Sequence, residues 1–382
     1  MQYDVLRYEF VRWVGDQDLI AACPSPVSEK NVRAGASGIS SGFYDGAALF
    51  LAVGCNQSRS GTCVRIYMKQ LSFDQYCSAV RMAQVNFILT RREEAAWWLE
   101  FVSAANLLLQ FGGDGGASVV EGTITADNYV LLARHKPSSS NIAFNGEPVL
   151  QNEFVLLPPG AHFVISADGP RSWLSLTIPR QVVEFAWAQN AILHKRIQAR
   201  QSCIVPVSTD QQFTLLSLAE SFLELTRTRS HISEVQRVEN SLLETAHHML
   251  CGDGIVQRVS LEYRRANDIV ATALSSVAHL DHIDTVYVED LAQAADVHSR
   301  TLLRAFHSVV GMGPVRYLRF RQLNAVRRAL NEASTTTVTE SLQSAGVSDM
   351  GRFSGFYKGL FGELPSETLF AAKARSNGWP RD

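Results

Sequence analysis

An arginine-rich stretch on helical spacing sets the strongest limit on how this chain folds. Between Val297 and Asn331 the sequence carries seven arginines and no aspartate or glutamate, although the formal net charge of the chain is only −2. These arginines are Arg300, Arg304, Arg316, Arg319, Arg321, Arg327 and Arg328. A helical surface of one charge sign suits the neutralisation of nucleic-acid phosphates.

The apolar pattern around this stretch predicts a helix-turn-helix unit. A first helix begins near Val288, and after a turn at Asp296 and Val297 a second helix runs from about Ser299 to Val310. The apolar positions that would face inward in the second helix are Leu302, Phe306 and Val309. Its outward face carries Arg300, Leu303, Arg304 and His307. Because arginine bonds guanine bidentately in a major groove, Arg300 and Arg304 are the first candidates for base contact.

Helix breakers separate this unit from a long third helix. Gly311 and Gly313 end the second helix, and Pro314 is tolerated in the first turn of the next one. The apolar spacing then predicts a single helix from Pro314 to about Asn331, with a length of roughly 27 Å. That length is close to the ~34 Å of one DNA turn. A rigid spacer of this size would allow two DNA-binding units in one chain.

A second helix-turn-helix unit is predicted after the spacer. It begins at Val338, turns at Gly346 and has a candidate N-cap at Ser348. Its candidate recognition helix runs from Asp349 to Phe361, with either Phe356 or Tyr357 among the core positions. Three glycines repeat every four residues in this helix, so one face has no side chains: Gly351, Gly355 and Gly359. Arg352 and Lys358 remain as candidate phosphate contacts.

The region from about Asp284 to Ala371 resembles the DNA-binding domain of AraC/XylS-type transcription regulators. The matching residues are Asp290-Leu291-Ala292, Thr301 to Phe306, Gly311 with Pro314, Tyr317-Leu318-Arg319, Arg327 with Leu330, Arg352-Phe353-Ser354, Phe361-Gly362 and Pro365-Ser366. The resemblance implies base contacts at Arg300, Leu303 and Arg304 in the first unit, and at Met350, Gly351, Ser354 and Gly355 in the second. The sequence departs from the family pattern at four positions. His298 stands where a Ser cap is usual, and Ser341 where an apolar residue is usual. Val347 stands where a Phe is usual, and Gly355 where a polar or basic residue is usual.

The composition of the whole chain is that of a soluble globular protein. Hydrophobic residues make up 46% and charged residues 19% of the 382 positions, enough for two or three domains. No uncharged apolar run reaches the ~18 residues of a membrane span, and no secretory signal is visible. We therefore predict a cytoplasmic location without a membrane partner. The six cysteines form no regular framework, as expected for reduced thiols.

A β-rich body is predicted before the helical region. Strand-like segments occur at 64–71, 81–90, 119–125, 128–135, 148–157, 162–166 and 173–178, whereas 93–111 fits either a helix or paired strands. The turn at Leu157-Pro158-Pro159-Gly160 and the strands around it resemble the cupin-like sensor of the same regulators. Such a barrel would hold a small molecule. The candidates to line it are Phe154, Leu156, Phe163 and Trp173, and ordinary core packing is the alternative for each.

No cofactor or metal is predicted, because His135 and His162 are isolated from other residues at ligand spacing. Helices are expected at 182–200, 211–229 and 232–250, and the last two form either a dimer interface or a layer packed on the barrel. The predicted class is α+β, with a cupin-like sensing domain at 1–205, a helical dimerisation and linker segment at 206–262, and the double helix-turn-helix domain at 263–382.

Together, the arginine stretch and the resemblance predict a sequence-specific DNA-binding transcription regulator, more specifically a ligand-responsive activator. The implied partners are double-stranded DNA, an unknown small-molecule effector, RNA polymerase and a second copy of the chain. The alternative is an enzyme that its helical domain targets to DNA, with a cupin-like or cysteine-based active site. A Pro-Cys-His-Arg signature and a metal triad are both absent from the sequence, so we expect no enzymatic activity.

Overall fold

The computed structural model describes residues 51–53, 64–81, 83–104, 106–184, 202–228, 231–251, 261–277, 286–332 and 337–376. The N-terminal segment up to residue 50 and most of the helix expected at 182–200 lie outside the described residues.

Two antiparallel sheets form the N-terminal half. The strands in chain order are β1 (Leu51–Val53), β2 (Val64–Leu71), β3 (Ala83–Arg92), β4 (Trp97–Ser103), β5 (Leu108–Asp114), β6 (Gly116–Ile124), β7 (Asn128–Arg134), β8 (Ile142–Phe144), β9 (Glu147–Pro148), β10 (Glu153–Leu157), β11 (His162–Ala167), β12 (Arg171–Pro179) and β13 (Cys203–Pro206). The eight-stranded sheet has the order β1-β2-β4-β5-β12-β7-β10-β13, and the five-stranded sheet has the order β3-β6-β11-β8-β9. Strands that alternate apolar and polar residues can bury one face and expose the other, which suits packed sheets.

Two sequence expectations are decided by the strand pairing. The ambiguous segment 93–111 forms strands β4 and β5, which pair antiparallel with Phe101 opposite Gln110. The expectation of one strand from Pro148 to Leu157 is wrong, because β9 ends at Pro148 and β10 begins at Glu153. Between them the chain turns, and the Glu153 carboxylate accepts a hydrogen bond from the Leu150 N–H at 2.8 Å.

The two sheets face each other across an apolar interior that includes Phe87, Val120, Val155 and Phe163. No strand of one sheet pairs with a strand of the other among the described residues, so this part of the chain forms two packed sheets, and a closed barrel is not observed. The fold is thus mixed, with sheets in the N-terminal half and helices in the C-terminal half.

Ten helices of seven residues or more accompany the sheets in the described part of the chain. They are α1 (Phe73–Ala79), α2 (Thr209–Arg227), α3 (Ile232–Cys251), α4 (Leu261–Ser276), α5 (Val288–Ala294), α6 (Ser299–Val310), α7 (Pro314–Glu332), α8 (Val338–Ser344), α9 (Met350–Phe361) and α10 (Pro365–Ser376). No helix in these segments is both long and apolar enough to cross a bilayer.

The helices cover the outer faces of both sheets. Phe222 of α2 and Leu242 of α3 are fully buried in one apolar cluster with Phe154 on the outer face of the eight-stranded sheet. Helices α4 to α6 pack on the outer face of the five-stranded sheet, where Ile88 and Phe306 belong to one cluster. The sheets therefore lie between a helical hairpin on one side and the C-terminal helices on the other.

Candidate nucleic-acid interface

The first helix-turn-helix unit consists of α5, a turn and α6. The turn places Asp296 in the left-handed region, with φ of 52°. The predicted inward positions of α6, Leu302, Phe306 and Val309, are all fully buried. Gly311 ends α6 with φ of 75°, a conformation that glycine adopts without a steric penalty. The bounds and the inward face of α6 agree with the sequence prediction.

The opposite face of α6 is free for a ligand. Arg300 and Arg304 are exposed, and Leu303 between them is 38% exposed. Neither arginine forms an ion pair with a carboxylate of the described residues. The N-cap residue His298 makes no side-chain hydrogen bond to the first turn. This face combines cationic groups with an apolar side chain on an exposed helix, as groove binding requires.

The arginines of α7 are divided between two tasks. Arg316 and Arg319 are exposed, whereas Arg321, Arg327 and Arg328 contact the sheet domain. The helix has 19 residues and is thus about 28 Å long. Arg328 is exposed as well, but its Nη1 donates to Asn86, so the arginines without a described partner in the sheet half are the ones available to bind phosphates, which the sequence alone did not reveal.

Arg327 joins α7 to two other elements. Its Nε and Nη2 bond the two carboxylate oxygens of Asp74 on α1, each at 2.8 Å, and its Nη1 bonds Glu363 at 2.9 Å. The guanidinium also lies 4.5 Å from the ring centroid of Phe361. Burial acts to lower the pKa of Arg327, but the hydrogen bonds and charges of the two acids outweigh it and hold the pKa above its ordinary value. Arg327 therefore links α7 to α1 and to the loop that follows Phe361.

The remaining contacts of α7 reach strands β3 and β6. The Asn324 amide accepts a hydrogen bond from the Leu89 N–H and donates one to the Leu89 carbonyl, both at 3.0 Å. The Tyr317 hydroxyl donates to Glu121, and Arg321 lies 3.8 Å from the same carboxylate. Burial, followed by the charge of Glu121, raises the pKa of Tyr317 well above its ordinary value. The long helix is thus docked along the edge of the five-stranded sheet.

The second helix-turn-helix unit consists of α8, a turn and α9. Gly346 has φ of 70° in the turn, as its place in the sequence pattern suggests. The N-cap of α9 is Asp349, whose side chain accepts a hydrogen bond from the Arg352 N–H, so the prediction of a Ser348 cap is wrong. Tyr357 is fully buried and Phe356 is 39% exposed, which resolves the alternative between them.

The outward face of α9 differs from that of α6. The exposed positions include Gly351, Arg352, Gly355 and Lys358. Met350 is partly buried against the apolar cluster, and the Ser354 hydroxyl donates to the Met350 carbonyl at 2.8 Å. The structure therefore places all the DNA-contact candidates of this unit on one short helix, but few of them present a free side chain.

A cavity of about 100 Å³ lies between the two sheets. Phe163 and Trp173 line it, whereas Phe154 and Leu156 point to the opposite face of β10, toward α2 and α3. Because side chains alternate along a strand, the cavity is lined instead by Val155 and Leu157. The sequence candidates on β10 are therefore displaced by one residue from the inward face.

Polar groups border this otherwise apolar cavity. The Thr177 hydroxyl is fully buried and has no hydrogen-bond partner among the described residues, and the same is true of the Arg134 Nε–H. Burial, together with the charge of Arg171, lowers the pKa of Arg134. These groups could bind polar atoms of a small molecule.

The two isolated histidines make contacts with single partners. His135 Nε2 lies 3.1 Å from Glu220, and His162 Nδ1 lies 2.7 Å from the Thr123 hydroxyl. Burial lowers the pKa of His135, and the hydrogen bond that its ring donates to Glu220 acts in the opposite direction. The described residues contain no group of three or more His, Cys, Asp or Glu side chains that could hold a metal ion.

Comparisons with known proteins match the C-terminal helices. A family model described as a helix-turn-helix domain matches residues 291–370. A XylDLEGF operon transcriptional activator from Pseudomonas putida is 37% identical over 90 residues, which cover 23% of this chain and 28% of that protein. A putative AraC-like transcription regulator from Streptomyces lividans is 32% identical over 102 residues, which cover 27% of this chain and 33% of that protein. This chain thus matches well under two thirds of either relative.

Two solved structures show a weaker likeness to this chain. The AraC-like transcriptional activator CuxR is 13% identical with a TM-score of 0.36, and the match covers 73% of this chain and 99% of that chain. A probable AraC family transcriptional regulator from Rhodopseudomonas palustris is 29% identical with a TM-score of 0.25, covering 28% of this chain and 98% of that chain. Both TM-scores are low, so the likeness of the C-terminal helices to AraC-like regulators is supported by the sequence relatives alone.

Two helix-turn-helix units joined by a long helix form the C-terminal part of the chain, an arrangement that DNA-binding domains use. Residues 291–370 match a helix-turn-helix family model and are similar to segments of AraC-like and XylDLEGF-operon regulators, which confirms the resemblance seen in the sequence. The names of these relatives describe transcription regulators, and neither describes an enzyme.

Proposed function

We propose that this chain is a sequence-specific DNA-binding transcription regulator that reads a major groove with α6. The observation that supports this proposal is the outward face of α6, where Arg300 and Arg304 are exposed and have no carboxylate partner among the described residues. They lie one helical turn apart on the same face of α6, which favours contact with neighbouring bases. The exposed Leu303 between them can contact a thymine methyl group.

The experiment is a binding titration of the full chain on DNA from the promoter region next to its own gene. We expect Arg304→Ala to weaken binding to the specific site by about 1–3 kcal/mol, because a bidentate contact to guanine is lost. The matched control is Lys136→Ala, which removes an exposed cation just after β7 in the sheet half, outside both α6 and the α2–α3 hairpin. Unchanged specific affinity in Arg304→Ala would show that Arg304 does not read bases.

We also propose that the N-terminal half senses a small, largely apolar molecule. In this view residues 1–205 form a cupin-like sensing domain, residues 206–262 a dimerisation and linker segment, and residues 263–382 the DNA-binding domain. Support comes from the apolar cavity between the sheets and from the Thr177 hydroxyl at its border, which has no hydrogen-bond partner in the part of the chain that the structure describes. Phe163 and Trp173 remain ligand-contact candidates, whereas Phe154 and Leu156 would act only through packing.

The regulatory outcome we propose is activation by a homodimer that contacts RNA polymerase. The α2–α3 hairpin is the candidate dimer surface, because Phe213 on α2 is 71% exposed. Transcription from the neighbouring promoter with purified polymerase tests activation directly. Sedimentation of the chain at several concentrations tests the dimer, and a monomer at all concentrations would contradict it.

A further inference from the structure

We propose that the two helix-turn-helix units have different tasks: α6 reads bases, whereas the second unit grips the DNA backbone through two arginines stacked on Phe356. This inference rests on the proposed DNA-binding function and specifies how the second unit takes part in it. It assigns the phosphate contact to Arg319 together with Arg352, and it gives Phe356, which the sequence pattern offered only as a core position, the role of holding both arginines.

The outward face of α9 has almost no side chains that could reach base edges. Gly351, Gly355 and Gly359 occupy exposed positions one turn apart, and a Cβ built at Gly355 or Gly359 would meet nothing within 4 Å. The Ser354 hydroxyl is engaged by the Met350 carbonyl. Direct readout requires donors, acceptors or methyl contacts that enter the groove. The three glycines supply none of these, so the exposed polar side chains of α9 are Arg352 and Lys358, two cations suited to phosphates.

Cationic groups lie beside this bare face instead. The Arg319 guanidinium of α7 lies 4.6 Å from the centroid of the Phe356 ring, and the Arg352 guanidinium of α9 lies 5.7 Å from it. All three residues are exposed. No carboxylate of the described residues lies within ion-pair distance of Arg319 or Arg352. Two unneutralised cations therefore share one exposed aromatic ring.

Stacking prepares these arginines for phosphate binding. A guanidinium held face-on to a ring keeps its N–H edges free, and those edges match the oxygens of a phosphate bidentately. The ring also restricts the rotamers of both side chains, so less entropy is lost when they bind. Phe356 is thus a positioning residue, while Arg319 and Arg352 make the contact.

The first turn of α9 is also unsuited to base reading. The Asp349 side chain accepts the Arg352 N–H at 2.9 Å and places a carboxylate at the start of the helix. That carboxylate occupies a backbone donor and repels phosphates close to the groove edge. The first turn of α6 has no such side-chain cap. The two recognition helices therefore differ in side chains, caps and charge, and each difference favours base reading by α6.

This division predicts the form of the DNA site. Base pairs contacted by α6 should be strictly specified, and those facing α9 should be free to vary. Because Arg319 lies in the second turn of α7, near α6, and its ring partner Phe356 lies on α9, the gripped phosphates should lie beside the specified bases, on the side of the second unit. Affinity for DNA would depend on both helix-turn-helix units, whereas discrimination between DNA sequences would depend on α6 alone.

The first experiment selects binding duplexes from a random library with the full chain and then measures affinity at several salt concentrations. We expect one conserved block of bases. For Arg319→Ala and for Arg352→Ala, the slope of log K against log salt should become shallower by about 0.9 per lost phosphate contact. The ratio of specific to non-specific affinity should stay as in the unmodified chain. Arg304→Ala is the matched comparison and should lower that ratio.

The second experiment locates the contact on the DNA. Neutral methylphosphonate linkages placed at successive backbone positions flanking the conserved block should weaken binding of the unmodified chain at the gripped phosphates. The same linkages should have little effect on the Arg319→Ala, Arg352→Ala double variant. At the ring, Phe356→Leu should weaken both specific and non-specific binding about two- to fivefold, whereas Phe356→Tyr should keep the affinity, since only an aromatic ring attracts the guanidinium groups. Thermal unfolding of each variant controls for folding.

The outcomes separate this inference from the proposed function. Two conserved blocks of bases, or a changed specificity ratio in Arg319→Ala or Arg352→Ala, would overturn the division of tasks while leaving a DNA-binding regulator in place. The division of tasks would also be overturned if methylphosphonate linkages weakened binding of the double variant as much as binding of the unmodified chain. If the full chain selects no sequence at all, both the proposed function and this inference fail.

Discussion

At the scale of single residues, Ser341 shows how one departure from a family pattern leaves a mark on the structure. Its side chain on α8 is 1% exposed, and its hydroxyl has no hydrogen-bond partner among the described residues. A buried polar group without a partner loses its hydrogen bonds to water and gains none in return. In the family pattern that the C-terminal sequence resembles, an apolar residue is usual at this position.

We therefore expect Ser341→Ala to raise the free energy of unfolding by about 1 kcal/mol, because the desolvation cost of the hydroxyl disappears. Urea denaturation of the full chain measures the change. Ser344→Ala is the control, since that hydroxyl is exposed and already donates to the Ser341 carbonyl. A lower stability in Ser341→Ala would mean that the hydroxyl has a stabilising contact.

At the scale of elements, α7 is the helix on which both halves of the protein depend. The Asn324 side chain satisfies both backbone groups of Leu89, which lies on β3 at the edge of the five-stranded sheet. We expect Asn324→Leu to lower the free energy of unfolding by about 2 kcal/mol, because two buried backbone groups lose their partner. Denaturation in urea measures the loss.

Asn331→Leu serves as the control for this prediction. Its amide lies near the end of α7, where it bonds the Arg327 carbonyl and Arg375 and makes no described contact with a sheet. We expect a smaller effect there. Equal losses in both variants would contradict a specific role for the Leu89 bridge.

The elements also show where sequence reasoning succeeds. Helices α6, α7 and α9 end within about one residue of their predicted limits because Gly311, Pro314 and Gly362 stop or start a helix by their own backbone chemistry. The cap of α9 was placed wrongly at Ser348, since Ser and Asp are nearly equal as N-caps and only the backbone geometry decides between them. The inward residues of β10 were missed for a similar reason. A shift of one residue exchanges the two faces of a strand, and both faces of β10 are apolar.

The candidate nucleic-acid interface likewise contains residues that the sequence predicts and residues that it does not. Arg300 and Arg304 could be predicted because an amphipathic helix with a known inner face leaves a defined outer face. The partners of Arg321, Arg327 and Arg328 could not, since Glu121, Asp74 and Asn86 lie about 200 or more residues earlier in the chain. The stack of Arg319 on Phe356 likewise joins two helices whose relative placement no local pattern specifies.

At the scale of the whole molecule, the sheet half and the helical half are joined by charged contacts as well as apolar ones. Arg327 binds Asp74 from the sheet half and Glu363 from the loop after α9. We expect Arg327→Met to lower the free energy of unfolding by about 2 kcal/mol. This is less than for a fully buried pair, because both acids keep some contact with water.

Chemical denaturation followed by both circular dichroism and tryptophan fluorescence measures this effect. Trp97, Trp98 and Trp173 lie in the sheets, so their fluorescence reports the sheets, while helical circular dichroism reports the helices on both sides of them. Because Leu89 and Leu323 belong to one continuous apolar cluster, both signals should shift together. Arg316→Met is the control, since Arg316 is an exposed arginine on the same helix. Separate transitions would show that the two halves unfold independently.

The Asn324 bridge has a consequence for self-association. An unpaired edge strand is a template for strand addition from another molecule, and proteins commonly block such edges. Here the Asn324 side chain from the helical half covers the Leu89 backbone on β3, so a separation of the two halves would also uncover this edge. Separation of the halves and the onset of intermolecular strand pairing would then be linked, and the amide of one residue would guard against aggregation.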